Sequence, residues 1–300
     1  MDHRLRFVRD LVDPLRVPPG RGFVLRRDHD PGGTGGLVAK DEAEARLAEG
    51  IGLLVDYQDR LWAQDVVGVL LVLQGIDAAG KDGTVKHVMS GVNPQGVDVR
   101  SFKQPSDEEL NRDFLWRYQR ALPARGRIGI FNRSHYEEVL VVRVHPELLA
   151  AERLPAAVRQ HDVWHRRYAQ INDWERHLVD NGIQVVKVFL HISKEEQARR
   201  FLNRIDDPTR NWKFSPGDVR ERRYWDDYQD AFDHMLSHTS TEWAPWHVVP
   251  ADHKWFARLA TAAVLVGALA DIDPQYPQVA AEIRQEMAQA RTELVKELGE

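Results

Sequence analysis

The stretch that decides the fold is Leu71-Val72-Leu73-Gln74-Gly75-Ile76-Asp77-Ala78-Ala79-Gly80-Lys81-Asp82-Gly83-Thr84. Gly75 and the Gly80-Lys81 pair have the spacing of a phosphate-binding P-loop, which lies between a buried strand and a helix. Small residues allow backbone N–H groups to point at phosphate oxygens, and Lys81 reaches the terminal phosphates as a point charge. The alternative is a chance glycine turn before a helix. The phosphate-binding residues predicted here are Gly75, Ala78, Ala79, Gly80, Lys81, Asp82, Gly83, Thr84 and Lys86.

Alternating strand and helix patterns surround this loop. The apolar run 66–73 is continuous rather than alternating, which is typical of a strand covered on both faces. Other strands are predicted at 97–102, 127–131, 183–191 and 246–249. Helices are predicted at 41–65, 83–90, 106–119, from 134 onward, and at 156–180, 193–205, 254–269 and 279–299. This alternation predicts right-handed βαβ units around a parallel sheet, that is, an α/β fold.

The chain divides into one large domain with two flanking segments. Prolines and a glycine-rich stretch predict an irregular N-terminal arm over residues 1–40. Residues 41–273 form the predicted P-loop domain, with a mobile lid insertion at about 204–222. Residues 274–300 form a predicted helical tail.

Composition excludes several classes of protein. The 300 residues are 43% hydrophobic and 29% charged, which fits a chain with a sizeable single core. The net charge of −5 gives no reason to expect a nucleic-acid partner. The absence of cysteine removes disulfides, thiol nucleophiles and cysteine-ligated metals. The longest apolar run, 259–270, is shorter than a membrane span and the N-terminus lacks an export pattern, so we expect a cytoplasmic protein.

A carboxylate lies inside the phosphate loop. Phosphates would repel Asp77 unless a divalent cation lay between them, so its presence suggests Mg²⁺. The alternative is a solvent-facing aspartate that caps the following helix. The usual hydroxyl residue after the lysine is replaced by Asp82, with Thr84 two residues further on.

A second group of polar residues follows the strand at 127–131. Asn132 stands where a P-loop enzyme keeps its second metal-site residue, and its carbonyl can ligate a cation or orient metal-bound water. Arg133 can bridge phosphate oxygens, although a structural salt bridge is the alternative. Glu137 lies one helical turn beyond Arg133 and is expected to face the same cleft.

Two further segments carry candidate contacts. Arginines before a proline-broken loop describe a lid that closes on phosphates, with Arg204 and Lys213 as its contacts. Arg199 is more typical of a solvated helix face. The segment from Phe102 to Asp107, with Lys103 as the charged contact, is a predicted nucleotide site; a plain capped helix start is its alternative.

These motifs together resemble the polyphosphate kinase 2 family. The matching pieces are Gly75-Ile-Asp-Ala-Ala-Gly-Lys-Asp82, Phe102-Lys-Gln-Pro-Ser106 with Asp107-Glu108-Glu109, Phe131-Asn-Arg-Ser134, Trp212-Lys-Phe214 and Trp246-His-Val-Val-Pro-Ala-Asp-His-Lys254. The family's second motif usually reads Asp-Arg-Ser, so Asn132 is a departure. That departure, with Glu137 downstream, is similar to the subgroup that phosphorylates both nucleoside mono- and diphosphates.

The resemblance implies both an architecture and an activity. It implies a three-layer α/β/α P-loop kinase core of the thymidylate-kinase type with a helical lid. It also implies Mg²⁺-dependent phosphoryl transfer between inorganic polyphosphate and nucleotides, with Mn²⁺ as a possible substitute. AMP and ADP are the expected acceptors, and GMP and GDP are further ones. In this scheme Asp77, Lys81, Asn132, Arg133 and Glu137 are catalytic, Asp77 and Asn132 hold the metal, and Phe102, Lys103, Asp107 and Glu137 contact the nucleotide. The expected assembly is a homodimer or homotetramer.

Two other functions remain open from the sequence. An ATP-dependent nucleoside or nucleotide kinase would share the core and differ only in its phosphoryl donor. A P-loop binding module that has lost turnover would explain the Asn132 departure. Direct in-line transfer needs no protein nucleophile, so no phosphoenzyme is expected.

Overall fold

A five-stranded sheet forms the centre of the molecule. The computed structural model describes residues 2–20, 22–37, 39–160 and 162–299. The strands within these ranges are β1 (Gly68–Gln74), β2 (Val97–Ser101), β3 (Ile128–Asn132), β4 (Ile183–His191) and β5 (Trp246–Pro250). Each of them overlaps a strand predicted from the sequence.

The strand order places the phosphate loop at the centre of one sheet edge. The order is β2-β3-β1-β4-β5, and every neighbouring pair is parallel. All seven residues of β1 are buried, as its continuous apolar sequence predicts. β1 connects to β2 on one side of the sheet and β4 connects to β5 on the other, so the connections diverge between the neighbouring strands β1 and β4. Ligands of parallel α/β sheets bind beyond the carboxyl ends of strands at such a point.

Helices connect the strands and flank them. The described α-helices are α1 (His3–Val12), α2 (Leu25–Asp28), α3 (Lys40–Gln64), α4 (Lys81–Val88), α5 (Asp107–Leu110), α6 (Trp116–Gln119), α7 (Val141–Val144), α8 (Pro146–Ala151), α9 (Ala156–Gln160), α10 (Val163–Asp180), α11 (Lys194–Asp206), α12 (Pro216–Glu221), α13 (Trp225–Thr239), α14 (Lys254–Ile272) and α15 (Ala281–Leu298). Short 3₁₀ turns are described at Asp13–Leu15, Pro94–Gly96, His135–Val139, Asn211–Lys213 and Arg222–Tyr224.

Two apolar layers cover the sheet, one on each face. Leu71 and Leu73 of β1 pack in the layer that contains residues of α1, α3, α4 and α14. Leu70 and Val72, which point to the other face, pack with residues of α10 and α13. The predicted α/β/α architecture is therefore confirmed. α14 is long and apolar enough to cross a membrane, but most of that span is buried in the first layer, as the sequence predicts for a packed helix.

The N-terminal arm is more ordered than the sequence predicts. Residues 3–12 form α1, capped by the Asp2 side chain, and Val8 and Leu11 are buried against the core. The prediction of an irregular arm is wrong for this segment, because apolar residues at helical spacing precede the first proline. Beyond it, Val17 donates its N–H to the carbonyl of Trp246, which fastens the arm to β5.

Three predicted helices are broken into shorter pieces. The helix expected at 106–119 is interrupted after Leu110, although the predicted Ser106–Glu109 capping box is present. The segment after Ser134 begins as a 3₁₀ turn rather than an α-helix. The helix expected at 156–180 divides into α9 and α10, with Asp162 at a φ of 25°. The hydrophobic periodicity of the sequence does not reveal these breaks, because tertiary packing can override the helix propensity of a segment.

The N-terminus of α11 is held by side chains from two segments. Ser193 accepts a hydrogen bond from the N–H of Glu196, as expected of an N-cap. The Glu196 side chain does not return this bond but pairs with Arg200. The Ser193 N–H instead donates to Asp252, 2.8 Å away.

Candidate active site

The loop between β1 and α4 has a backbone that demands small residues. Gly75 has a φ of 153°, and a Cβ on it would lie 2.8 Å from the carbonyl oxygen of Leu190. Gly80 has a φ of 107°, and Ala78 adopts a left-handed φ of 65°. Strain of this kind, held in place by a buried strand and a helix, is common where a loop grips a ligand. The N-terminus of α4 has no side-chain cap, which removes the interpretation of Asp77 as a capping residue.

Lys81 is buried and folded back across its own loop. Its Nζ donates to the carbonyl oxygen of Gly75 at 2.5 Å and to that of Ile76 at 3.3 Å. Burial lowers the pKa of Lys81, and the nearby carboxylate of Asp77 opposes that shift. The ammonium is thus satisfied by loop carbonyls, which anionic oxygens can replace.

Arg200, which was not predicted as a site residue, holds the backbone of this loop in place. Its Nη1 donates to the carbonyl oxygens of Ala78 and Ala79 at 2.9 and 2.7 Å. Its Nη2 donates to the carbonyl oxygens of Ala251 and Asp252. Only a planar guanidinium can span both chain segments in this way. Arg200 lies on the buried face of α11 with Gln197 and Phe201, and no motif in the sequence marks it as a contact of the loop.

The turn after β3 carries an arginine in an unusual backbone conformation. Arg133 has a φ of 63°. Its Nη2 lies 2.6 Å from Asp77 Oδ1, and its Nη1 lies 4.0 Å from Glu137 Oε2. Burial lowers the pKa of Arg133, but the two carboxylates outweigh it and the net shift is upward. The salt bridge considered from the sequence therefore exists, and its partners are themselves candidate site residues.

Glu137 is held in place from the central strand. Gln74, the last residue of β1, donates to Glu137 Oε1 and to Ser134 Oγ, both at 3.1 Å. The expectation that Glu137 would share a cleft with Arg133 matches this geometry. The 3₁₀ turn at His135–Val139 brings the two residues to the same side.

Asp82 links the loop, the β3 turn and the lid segment. Asn132 donates from Nδ2 to Asp82 Oδ1 at 2.7 Å, and Lys213 Nζ lies 3.5 Å from Asp82 Oδ2. The hydrogen bond from Asn132 and the charge of Lys213 lower the pKa of Asp82 against the effect of burial. Asp82 is therefore an anion that holds Asn132 and Lys213 at the mouth of the site.

A cleft of about 530 Å³ opens above the loop. Asp77, Lys81 and Asp82 line one wall, and Asn132 and Arg133 line another. The cationic residues around it come from several separate segments and comprise Lys81, Lys103, Arg133, Arg200, Arg204, Arg210, Lys213 and Lys254. Arg210 and Lys254 were not selected from the sequence, although Lys254 ends one of the motifs quoted above.

A larger cavity of about 1100 Å³ adjoins this cleft. Phe102, Lys103 and Arg133 line both. Within the larger cavity, Arg117 lies over the rings of Phe102 and Tyr118 at 5.3 and 5.4 Å and donates to the Lys103 carbonyl. Arg117 is a further residue that the sequence analysis missed.

An acidic residue with a shifted pKa lies in the wall of the larger cavity. Burial raises the pKa of Glu138 to about 7, and the charge of Arg167 opposes the rise. Tyr118 donates its hydroxyl to Glu138 at 3.1 Å. Glu138 therefore keeps its proton to a higher pH than an ordinary glutamate side chain.

Most of the predicted site residues meet at the two cavities, but several do not. Asp77, Ala78, Gly80, Lys81, Asp82, Gly83, Phe102, Lys103, Asn132, Arg133, Glu137, Arg204 and Lys213 line one or both. Gly75 lines a smaller adjoining cavity, while Ala79 and Thr84 are buried behind the loop. Lys86 and Asp107 are exposed and line neither cavity. The structure therefore does not bring Lys86 and Asp107 to the site.

The donor set suits a hard divalent cation that keeps other ligands. Asp77 offers carboxylate oxygens and Asn132 a carboxamide oxygen, which its bond to Asp82 leaves free. Within the described ranges, no three histidine or acidic side chains form a complete metal cage. Mg²⁺ is commonly held by one or two protein oxygens together with substrate phosphates and water, so these residues fit it.

Comparisons with known proteins agree with this geometry. The profile of the family Polyphosphate kinase 2 (PPK2) matches residues 37–277. An ADP-polyphosphate phosphotransferase of Rhodopseudomonas palustris is 50% identical over 259 residues, 86% of this chain and 90% of that protein. An AMP/ADP-polyphosphate phosphotransferase of Meiothermus ruber is 45% identical over 267 residues, 88% of this chain and 94% of that protein.

A solved structure shares both the fold and much of the sequence. The crystal structure of Polyphosphate Kinase 2 from Arthrobacter aurescens TC1 has a TM-score of 0.85 and 43% identity, covering 94% of this chain and 96% of that one. The strained loop after β1 and the arginine turn after β3 thus lie within the region that these proteins share. The chain belongs to the polyphosphate kinase 2 family and is an enzyme of that type, a polyphosphate-dependent nucleotide phosphotransferase.

Proposed function

We propose that the enzyme transfers phosphoryl groups from inorganic polyphosphate to AMP and to ADP in an Mg²⁺-dependent reaction. The names of the relatives support this range, since one is an ADP-polyphosphate and another an AMP/ADP-polyphosphate phosphotransferase. GMP and GDP are proposed as further acceptors. A GDP-polyphosphate phosphotransferase of Pseudomonas aeruginosa is 37% identical over 191 residues, 64% of this chain and half of that protein.

The polyphosphate chain is assigned to the 530 Å³ cleft. Its cations come from the loop, the β3 turn, α11, the lid segment and the start of α14, so positive charge continues well beyond the loop. A linear polyanion requires charge distributed along a groove, whereas a terminal triphosphate alone requires it only at the loop. This distribution favours polyphosphate over ATP as the donor.

The acceptor nucleotide is assigned to the 1100 Å³ cavity. Phe102 supplies an aromatic face near the junction, and Lys103 and Arg117 supply cations for acceptor phosphates. A cavity of this volume, lined by apolar as well as charged side chains, is of the size that holds a nucleotide. Asp107, predicted as a contact, lies outside it.

The position of Arg133 is the observation that carries the proposal. It lines the donor cleft and the acceptor cavity at once, and it lies beside Asp77 and Glu137. A guanidinium at the junction of two anion sites can hold the transferring phosphoryl group between them. A donor in the cleft and an acceptor in the larger cavity would place the leaving oxygen and the attacking oxygen on opposite sides of the transferring phosphoryl group. This is the in-line arrangement.

The protein residues then have separate tasks. Lys81 exchanges its loop carbonyls for donor phosphate oxygens, and Arg133 neutralises the charge of the transferring group. Glu137, fixed by Gln74, orients Arg133 beside the terminal phosphate of the acceptor. Mg²⁺ at Asp77 and Asn132 would supply further charge neutralisation on the phosphate oxygens. No protein nucleophile takes part, so the phosphoryl group passes directly from donor to acceptor.

The lid segment closes the donor cleft in this scheme. Lys213 reaches Asp82, and Arg204 lies 3.6 Å from Asp218 within the insertion. Both cations are held by carboxylates that polyphosphate can replace. Closure of the lid over the polyphosphate would exclude water, which favours transfer to the nucleotide over hydrolysis.

We also propose a cytoplasmic location and assembly as a homodimer or homotetramer, without a nucleic-acid or membrane partner. The net negative charge and the burial of the strongly apolar helix α14 support the absence of nucleic-acid and membrane partners.

The test of the activity is a reaction without ATP. The enzyme is incubated with Mg²⁺, AMP and polyphosphate, and the nucleotides are separated over time. We expect ADP first and then ATP, with GMP and GDP converted in parallel reactions. Nucleotide products that form only when ATP is added would identify ATP as the donor and overturn the proposal. Label transferred from polyphosphate to the protein in the absence of an acceptor would contradict direct transfer.

A further inference from the structure

The C-terminal helix exposes an apolar stripe. Ile283, Met287, Leu294 and Leu298 of α15 are 48, 57, 58 and 74% exposed. Ala290 lies on the same face, and α15 buries none of its residues in the described structure. They are spaced four, three, four and four residues apart, so all five lie on one face of the helix.

Helices in proteins are stabilised mainly by the packing of an apolar face rather than by helix propensity. α15 has 18 residues, and none of them is buried in the described structure. Four large apolar side chains on one face of an otherwise charged helix therefore indicate that another surface covers them.

The charged residues on either side of the stripe differ in sign. Glu286 and Glu293 lie along one edge, and Arg284 and Arg291 lie along the other. In heptad terms the glutamates occupy g positions and the arginines e positions, with Met287 and Leu294 at a. A helix with one acidic and one basic edge selects the orientation of its partner.

We propose that the stripe is covered by α15 of a second copy of this chain, packed in parallel. In a parallel pair the acidic edge of each helix faces the basic edge of the other, which places Glu286 opposite Arg291 of the partner subunit. In an antiparallel pair like edges would meet, with glutamates facing glutamates and arginines facing arginines. The charge pattern therefore favours the parallel pair.

This surface is independent of the catalytic machinery. α15 begins after residue 277, where the family match ends, so membership of the family does not account for the stripe. Residues 274–280 connect it to the core helix α14 and include Pro274 and Pro277. The inference does not rest on the proposed substrates.

The absence of cysteine allows a direct test. The full chain carries no cysteine, so a single introduced thiol reports on one position only. We expect the Leu294→Cys variant to form a disulfide-linked dimer under mild oxidation, because a parallel pair places the same residue on both helices within disulfide reach. Thr292→Cys, on the opposite face of α15, is the matched control and should remain monomeric on a non-reducing gel.

Two further variants test the orientation and the charges. Cross-linking only in a mixture of Met287→Cys and Leu294→Cys chains would show an antiparallel pair and overturn the parallel one. In the Leu294→Cys background, Arg291→Glu should reduce cross-linking several-fold, and adding Glu286→Arg should restore it. Equal cross-linking of Leu294→Cys and Thr292→Cys, or none from either, would overturn the proposal. Retained phosphotransfer activity would show that the variants are folded.

Discussion

Arg133 Nη2 lies 2.6 Å from Asp77 Oδ1, so the residue that follows β3 is ion-paired with the carboxylate inside the loop that follows β1. The two residues are 56 positions apart in the sequence. In the proposed mechanism, a cation at Asp77 and a phosphoryl group at Arg133 would each replace this contact. We therefore expect the binding of metal and the binding of phosphate to be coupled through this pair.

The first prediction concerns the geometry of Arg133. The Arg133→Lys variant keeps the charge but loses the fork of donors that spans Asp77 and a phosphoryl group. We expect kcat to fall by about 10²-fold, the effect of losing one preorganised charge-stabilising group. Arg127→Lys, at the opposite end of β3 and paired with Asp98, is the control and should keep its rate. An unchanged kcat in Arg133→Lys would remove Arg133 from the transferring group.

The second prediction separates two lysines of the same helix. Lys81 is buried in the loop contacts, whereas Lys86 is exposed on α4 and lines neither cavity. We expect Lys81→Ala to lose 10²-fold or more in turnover, since it removes a charge at the donor phosphates. Lys86→Ala should retain both kcat and KM for polyphosphate. A raised KM in Lys86→Ala would instead support the contact predicted from the sequence.

The third prediction concerns adjacent arginines of α11. Arg200 donates to four backbone carbonyls, two in the loop after β1 and two after β5, while Arg199 is exposed and pairs with Glu196. Arg200→Lys should lower kcat/KM by on the order of 10- to 100-fold, because a single ammonium cannot fix both chain segments and the loop shifts. Arg199→Lys should behave as the parent enzyme. Steady-state kinetics on both variants, with thermal unfolding as a fold control, decides between them; equal effects would contradict a positioning role for Arg200.

The fourth prediction concerns a fully buried ion pair beneath the site. Lys187 Nζ lies 2.6 Å from Glu175 Oε2, and His135 and Tyr136 contact the other oxygen of that carboxylate. Lys187→Met leaves Glu175 uncompensated and should lower the free energy of unfolding by about 3–5 kcal/mol.

A double variant tests the cause of that loss. Adding Glu175→Gln to Lys187→Met removes the buried charge, so most of the stability should return. Arg176→Met, which breaks an exposed pair with Asp180, should change the free energy of unfolding by less than about 1 kcal/mol. Urea unfolding measures all three, and a double variant less stable than Lys187→Met would contradict this explanation.

The fifth prediction is a pH dependence that arises from Glu138. Its pKa is raised to about 7 in the folded protein from a reference of 4.5, with burial as the main cause. Between these values the folded state keeps a proton that the unfolded state has lost. The stabilising effect of this residue is therefore full below pH 4.5 and is lost as the pH rises through 7.

Comparison with a neutral variant isolates this effect. Glu138→Gln cannot ionise, so the parent enzyme should lose stability relative to it on the order of 3 kcal/mol between pH 4.5 and pH 8. Unfolding free energies measured at several pH values give this difference directly. A difference that stays constant with pH would show that Glu138 has an ordinary pKa.

Much of the site was open to prediction because it consists of short continuous motifs. Gly75, Gly80 and Lys81 are required by a loop whose backbone must bend at fixed positions. Asn132 and Arg133 follow a buried strand, and neighbouring parallel strands end at the same sheet edge. The sequence thus predicted that these residues would meet.

The residues that were missed act at long range. Arg200 contacts carbonyls of residues 78, 79, 251 and 252, and backbone carbonyls leave no signal in the sequence. Arg117 belongs to a cavity wall formed by folding, and its helix was predicted without the break after Leu110. Lys86 and Asp107 were predicted by proximity along the chain, yet their helices direct them to solvent.

The sequence alone determined the strand–helix alternation, the loop and the family, because hydrophobic period and glycine spacing are local properties. The tertiary structure decided which cations line the 530 Å³ cleft, which acid pairs with Arg133 and where the 1100 Å³ cavity lies. These features depend on how five parallel strands align and on how side chains from distant segments meet, since charge interactions act through space rather than along the chain.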